Sequence, residues 1–287
     1  MAEGRRHVRT LTGWRIRTEH VTTFRYSSPA RASYNEVRKM PLSTSTQTAL
    51  EARVHTLPVA SLYSYRDYFG TQVAAFNVDA PHDRLVVTGS SLVETQPAVQ
   101  RPDASWNDIE TASPRLAEFK APSRFTEPSP ELAEKSRELR RPSPVETIEE
   151  IIAYVHGSLE YTKGVTGVHT SAQEAFTEGR GVCQDFAHLA LLVLRAAGIP
   201  ARYVSGYLHP EREPVIGVSA EGESHAWVEA WAGGWWGHDP THDVEISQRH
   251  VVVARARDYA DVAPMRGIYA GTADREPSVV VTITRTA

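Results

Sequence analysis

GRGVCQDFAHLALLVLRAAGIPARYVSGYL, residues 179–208, holds the single cysteine of this 287-residue chain, Cys183. Apolar residues recur at Phe186, Leu189, Ala190, Val193, Leu194 and Ala197, a helical period that begins three residues after the cysteine. Leu191 and Leu192 widen the apolar surface, which predicts a helix buried on most sides. Gly198 suits the position just past the helix end, and Pro200 forbids continuation. Cys183 therefore sits at the N-terminal end of a central helix. There the helix dipole favours thiolate over thiol, and unbonded N–H groups, that of Cys183 included, can hold a developing oxyanion. Gly179 and Gly181 offer a close backbone approach to a substrate. A lone cysteine at a helix start is more often packing than chemistry, so partners decide the matter.

The partners come downstream. Ser224–Trp231 reads SHAWVEAW, a strand with His225, Trp227, Glu229 and Trp231 on one face and Ala226, Val228 and Ala230 on the other. A turn at Gly233-Gly234 leads into a second strand, Trp235–Asp239, ended by Pro240. Cys183, His225 and Asp239 are the parts of a triad in which imidazole takes the thiol proton and a carboxylate fixes the ring. Parity tests this. A two-residue loop sets Asp239 opposite Val228, on the wrong face, whereas a three-residue loop, Ala232-Gly233-Gly234, sets it opposite Trp227 and diagonal to His225. The three-residue loop is the prediction.

Around this centre the chain divides into four parts. Residues 1–13 are expected to be disordered, and 14–95 form an antiparallel β domain with strand signals at Trp14–Tyr26, Tyr63–Val78 and Leu85–Glu94. Ser27-Ser28-Pro29 reads as a turn. Residues 96–144 carry eight of the 18 prolines and read as a connector, with a helix start at Ser129-Pro130. Residues 145–287 form the catalytic core, ending in a strand at Ser278–Thr284 that returns to one of the two sheets. Ser143-Pro144-Val145-Glu146 is a capping box that opens a helix to about His156, and Thr170-Ser171-Ala172-Gln173 looks like a second. The fold class is α+β.

The three motifs GVCQDFAHLALLVLRAAGIPARYVSGYL, SHAWVEAW and WWGHDPTH together resemble the core of the bacterial transglutaminase-like superfamily. YSSPARASYNEVRKMPLST, DYFGTQV and PHDRLVV resemble that family's bacterial N-terminal β domain, and RDYADVAPMRGIYAG its C-terminal part. The resemblance implies a papain-like core, with Cys183, His225 and Asp239 as the catalytic triad. It departs at His242, where the family commonly has asparagine after the DPT motif. An upstream donor to the oxyanion is implied as well, for which Tyr161 and His169 are candidates; Trp227 and His169 are candidate residues of the substrate groove.

The expected function is thiol-dependent amide chemistry through a thioester, as a peptidase or amidase acting on a peptide or amide. Transfer to an amine acceptor, as in a transglutaminase or amide synthase, is the alternative, and a non-catalytic protein-binding scaffold is a third. No cofactor is expected. The pair His238 and His242 invites a metal reading, but Pro240 interrupts the helix their spacing would need, so no metal is assigned. Asp185 is read as a complement to the helix start, and His188 as a satisfied flank residue. A net charge of −4 and 23% charged residues give no support for a nucleic-acid surface. No stretch approaches the ~20 apolar residues that span a bilayer, the start lacks a signal-like apolar run, and one cysteine excludes an internal disulfide. A cytoplasmic location is the expectation; the composition does not bear on oligomeric state.

Overall fold

A computed structural model describes residues 13–97, 100–222, 224–272 and 274–287; the disorder expected for residues 1–12 lies outside these. The chain is α+β and dominated by antiparallel sheet. Its first strand, β1 (Trp14–Val37), is 24 residues long and organises everything before the connector. Residues 16–26 pair with β15 (Arg275–Arg285), and residues 14–25 also pair with β5 (His82–Thr95). Residues 33–37 pair instead with β4 (Gln72–Val78), and residues 31–37 with β14 (Met265–Ala270). β2 (Gln47–Leu57) lies outside β5, and β3 (Tyr63–Arg66) outside β4. The segment read as a turn, Ser27-Ser28-Pro29, is where β1 changes partners rather than where it ends. Pro29 is tolerated there because the register shifts between Arg25 and Ala30, and a bulge follows with Ala32 at φ 44°.

The segment 96–144 is more ordered than its prolines imply. It holds α1 (Trp106–Ala112), a 3-10 turn (Ser113–Leu116), α2 (Ala117–Lys120) and α3 (Pro130–Glu138). Three of its prolines, Pro114, Pro130 and Pro144, sit at helix starts, where a missing N–H costs nothing, and Leu132 and Ala104 enter the main core. The Ser143 capping box opens α4 (Pro144–Ser158), as the sequence predicts. The next box is one residue later than read: Ser171 caps, and Glu174 answers it, at α5 (Ala172–Glu178). Two short parallel strands, β6 (Glu160–Tyr161) and β7 (Arg180–Gly181), bracket α5.

The central helix, α6 (Cys183–Ala196), is buried from Gln184 to Arg195. It lies on a five-stranded sheet ordered β12-β11-β10-β8-β13, comprising β8 (Ala201–Leu208), β10 (Ser224–Trp231), β11 (Trp235–Asp239), β12 (Val244–Glu245) and β13 (His250–Ala256). Ala226, Val228 and Ala230 turn their small side chains to the helix, which allows close approach. A short strand, β9 (Ser219–Gly222), precedes β10, and α7 (Tyr259–Val262) follows β13.

The two sheets are fastened to each other. Trp14, Ile16, Val93, Val281 and Ile283 from one pack on Tyr207, Val251 and Val253 from the other. The Gln47 side chain accepts from Val252 N–H at 2.8 Å and donates to the Val252 carbonyl at 2.7 Å, satisfying β13 beside its register shift at 252/254. The final strand, β15, read above with the catalytic core, pairs with β1 and with β9. Among the described residues no helix is long and apolar enough to cross a membrane.

Candidate active site

Cys183 is the first residue of α6, after an N-cap, Val182, that has no hydroxyl or carboxylate to offer. Asp185 supplies what the cap lacks: its Oδ2 accepts from Val182 N–H at 2.8 Å and from the Thr166 hydroxyl at 2.6 Å. Burial pushes the Asp185 carboxyl up, against these hydrogen bonds. Gly179 and Gly181 serve this turn rather than a substrate. Gly179 ends α5 at φ 66°, and a Cβ on Gly181 would meet the Asp185 side chain at 2.7 Å. Asp185 N–H is taken by the Val182 carbonyl at 2.8 Å. Among the described residues, the N–H groups of Cys183 and Gln184 bond no protein acceptor, so both are free to face an oxyanion.

His225 stands one residue into β10, where the strand meets the N-terminal end of α6. β10 and β11 are joined by the predicted three-residue loop, with Trp231 opposite Trp235 and Val228 opposite His238. The next step sets Asp239 beside Trp227, diagonal to His225, and the diagonal closes: His225 Nε2 lies 2.7 Å from Asp239 Oδ2. The other ring nitrogen, Nδ1, is left for the Cys183 thiol, which lines the same cleft. Burial alone would lower the His225 pKa, but its hydrogen bond to Asp239 and the neighbouring Cys183 outweigh that and raise it to about 10.

Asp239 is fully buried, and burial alone would raise its pKa. Three imidazoles hold it far below the usual carboxylate range instead. Besides His225, His242 Nδ1 lies 2.8 Å from the same oxygen, and His250 Nε2 lies 3.6 Å from it. Oδ1 accepts from Thr241 N–H at 3.0 Å. His250 Nδ1 accepts from Ser247 N–H at 3.0 Å, which puts the ring proton on Nε2, a buried atom without a hydrogen-bond partner 3.6 Å from Asp239 Oδ2.

Sequence reasoning gave His250 no role, since its place depends on the pairing of β13 with β8. It met His242 only as a departure from the family and as half of a metal pair with His238. His238 is buried on the opposite face from Asp239, edge-on to Trp236, and burial pushes its pKa down to about 4. His225, Asp239 and His242 do bring one ligand atom each within 4.8 Å. As they stand they are spaced as hydrogen bonds, closer than the ~3.3 Å between ligands of a tetrahedral zinc ion.

Cys183 and His225 line a cleft of about 360 Å³. Tyr161 lines it as well, brought beside the cysteine by pairing of β6 with β7, Tyr161 against Gly181. His169 does not line it; its neighbour Val168 does. Trp227 is no groove wall: Leu42, Val204 and Val252 enclose it, and no part of it is exposed. Three residues into β10, it packs against Val252 and His250 of β13 rather than at the rim. His188 is wholly buried, stacked on Phe125 at 4.7 Å, with Nε2 accepting from Tyr259 N–H. No described residue of 96–144 lines the cleft.

Comparison with known proteins agrees with this geometry. Residues 132–240 match the transglutaminase-like superfamily model, and residues 16–94 match the bacterial transglutaminase-like N-terminal region. An uncharacterized protein of Mycobacterium leprae is 46% identical over 280 residues, covering 96% of this chain and all of that one. An uncharacterized Mycobacterium tuberculosis protein is 34% identical over 276 residues, covering 88% of this chain and 87% of its own. A protein-glutamine gamma-glutamyltransferase of Pseudomonas aeruginosa is 42% identical over 73 residues, 24% of this chain and 11% of that protein. The crystal structure of a Cytophaga hutchinsonii protein, described as a candidate cysteine protease, superposes with a TM-score of 0.76 over 95% of this chain and 98% of that one, at 22% identity. With both halves of the chain accounted for, this protein is a member of the transglutaminase-like superfamily.

Proposed function

We propose that the protein cleaves amide bonds with Cys183 as nucleophile, His225 as general base and acid, and Asp239 as the residue that orients His225. The observation that carries this reading is that Cys183, at a helix N-terminus with two unused N–H groups, shares a cleft with His225, which is itself held at 2.7 Å by a buried carboxylate. The thiol proton already rests on His225, as its raised pKa requires, and the Sγ thiolate adds to the amide carbonyl carbon. The oxyanion that forms is received by the N–H groups of Cys183 and Gln184, with Tyr161 at the cleft edge as a further donor. His225 returns its proton to the leaving nitrogen, and a thioester remains. Water, deprotonated by His225, then releases the acid and restores the thiol. Hydrolysis is favoured over transfer because the cleft rim is open: Tyr161 is 43% and Val168 50% exposed, so water reaches the thioester.

Acyl transfer to an amine is the second reading, supported by the 73-residue match to the gamma-glutamyltransferase. The deciding experiment incubates native protein and Cys183→Ala with a pool of peptide amides, with and without added alkylamine, and weighs the products by mass spectrometry. Cleaved acids formed only by native protein support hydrolysis, and amine adducts support transfer. Neither product, together with Cys183 labelling by iodoacetamide that is the same in native protein and His225→Ala, would leave a scaffold without chemistry.

A further inference from the structure

The last strand of the chain carries two features at odds with a strand that only packs. Val279 is 54% exposed and Val280 49%, two neighbouring aliphatic side chains in water. They also stand on an open edge. β15 is paired with β1 along its length, but β9 covers its other side only from Val281 to Thr284. Among the described residues no strand pairs that side at 277–280; Pro277 has no N–H, so the donors open to an added strand there come from residues 278–280. Exposed apolar residues on an open edge invite association, and folded chains avoid them unless something is meant to bind.

The position of this edge gives it a meaning. Gly222, the last residue of β9, pairs with Val281, and only three residues later the chain reaches His225. The row vacated beyond β9 therefore runs alongside the cleft, and Val279, Val281 and Gly222 all line the same cleft as Cys183 and His225. Val168, half exposed, adds a second aliphatic contact from the segment before α5. Among the described residues the cleft lining includes one lysine, Lys163, and no carboxylate.

We infer that the open edge of β15 is the substrate-binding element: an extended peptide adds to residues 277–280 in line with β9, and an aliphatic side chain of that peptide packs against Val279 and Val168 beside Cys183. Strand addition supplies affinity through the main chain, and the valines supply the choice of side chain. The sheet of β1 and β15 is then part of the active site. The inference rests on Cys183 being the reacting group, and it names the substrate class of that same site as aliphatic peptides in extended form.

The test uses two probes. Fluorescein-labelled Ala-Ala-Val-Ala-Ala and Ala-Ala-Asp-Ala-Ala are titrated against Cys183→Ala by anisotropy, which reads binding without chemistry. The chloromethyl ketones of Ala-Ala-Val and Ala-Ala-Asp are then compared as alkylators of Cys183 in native protein. The aliphatic member of each pair is expected to win by at least about tenfold, the worth of burying most of a valine side chain. Val279→Asp, with a melting temperature near native, is expected to erase that ratio. A valine peptide N-methylated along its backbone should bind less well than its parent. Equal handling of both side chains, or an unchanged ratio in Val279→Asp, overturns the inference. So does a dimer that Val279→Asp converts to monomer, since the edge would then serve a second copy of this chain. Iodoacetamide labelling that depends on His225, without side-chain preference, sinks this inference alone; labelling indifferent to His225 sinks the catalytic reading, while the anisotropy still decides whether peptides bind.

Discussion

Asp239 collects more hydrogen bonding than orienting one imidazole requires. With His225 and His242 both on Oδ2, and Thr241 N–H on Oδ1, the carboxylate is held at both oxygens. Asp239→Asn keeps the shape but offers His225 Nε2 an amide in place of a carboxylate, and is expected to lower kcat by about 10³–10⁴-fold with the fold retained. His242 is half exposed and shares Oδ2 without touching the thiol, so His242→Asn should cost less than about tenfold. The pH profile checks the electrostatics. The His225 pKa is raised from its ordinary 6.5, so the stabilisation from its charged pairing is fully present below 6.5 and is lost as pH rises through about 10. Because His225 must donate a proton, kcat/KM should fall on the alkaline side near pH 10, and Asp239→Asn should move that limb to lower pH.

At the scale of elements, the site depends on the parity of one hairpin. Ala232-Gly233-Gly234 makes a three-residue loop, with Gly233 at φ 90°. Deleting Gly237, inside β11, keeps this loop but moves Asp239 opposite Val228, to the face turned toward α6. The outcome expected is loss of activity and of His225-dependent thiol labelling in whatever fraction folds. Gly233→Ala is milder: it strains a left-handed backbone and brings a Cβ to 3.3 Å from that of Ala104, for a loss of about 1 kcal/mol measured by denaturant unfolding. Neither change touches a catalytic atom. The comparison therefore separates register from stability.

Across the whole molecule, the sheet of β1 carries a cost that chemical shape alone does not reveal. Lys39, 1% exposed, donates to Thr22 Oγ1 at 2.6 Å and to the carbonyls of His20 and Val87, with no carboxylate among these acceptors. Burial lowers its pKa from 10.5 to about 7. Beside it His20, bonded to Tyr207 of the other sheet at 3.1 Å, is pushed down to about 3, by burial first and by the Lys39 charge second. Between pH 7 and 10.5 the unfolded chain binds the lysine proton and the folded chain releases it, so this group makes stability rise with pH over that window. Lys39→Met should remove that part of the slope, read as a flatter change in melting temperature between pH 7 and 10 than in the native protein. An unchanged slope would show that Lys39 stays charged in the fold. Truncation before Arg275 is a harsher test: it strips β1 of a partner along residues 16–26, and the shortened chain is expected not to fold stably.

The position of Cys183, its helix, the two strands carrying His225 and Asp239 and the length of the loop between them were all legible in the sequence. Each rests on a local period, a cap or a parity, properties that the chain carries within a dozen or so residues. The proline-rich segment misled because a proline at a helix start and a proline in a loop look alike until Leu132 is seen in the core. Trp227 misled because alternation gives the face of a side chain but not what covers that face, here Leu42 and Val252 from far along the chain. His250 at Asp239 and the β15 edge beside the cleft were decided only by tertiary structure. Both depend on pairings between strands tens to hundreds of residues apart, β13 with β8 and β15 with β1. The register of such pairings is set by the packing of whole sheets and leaves no periodic signature in either segment read alone.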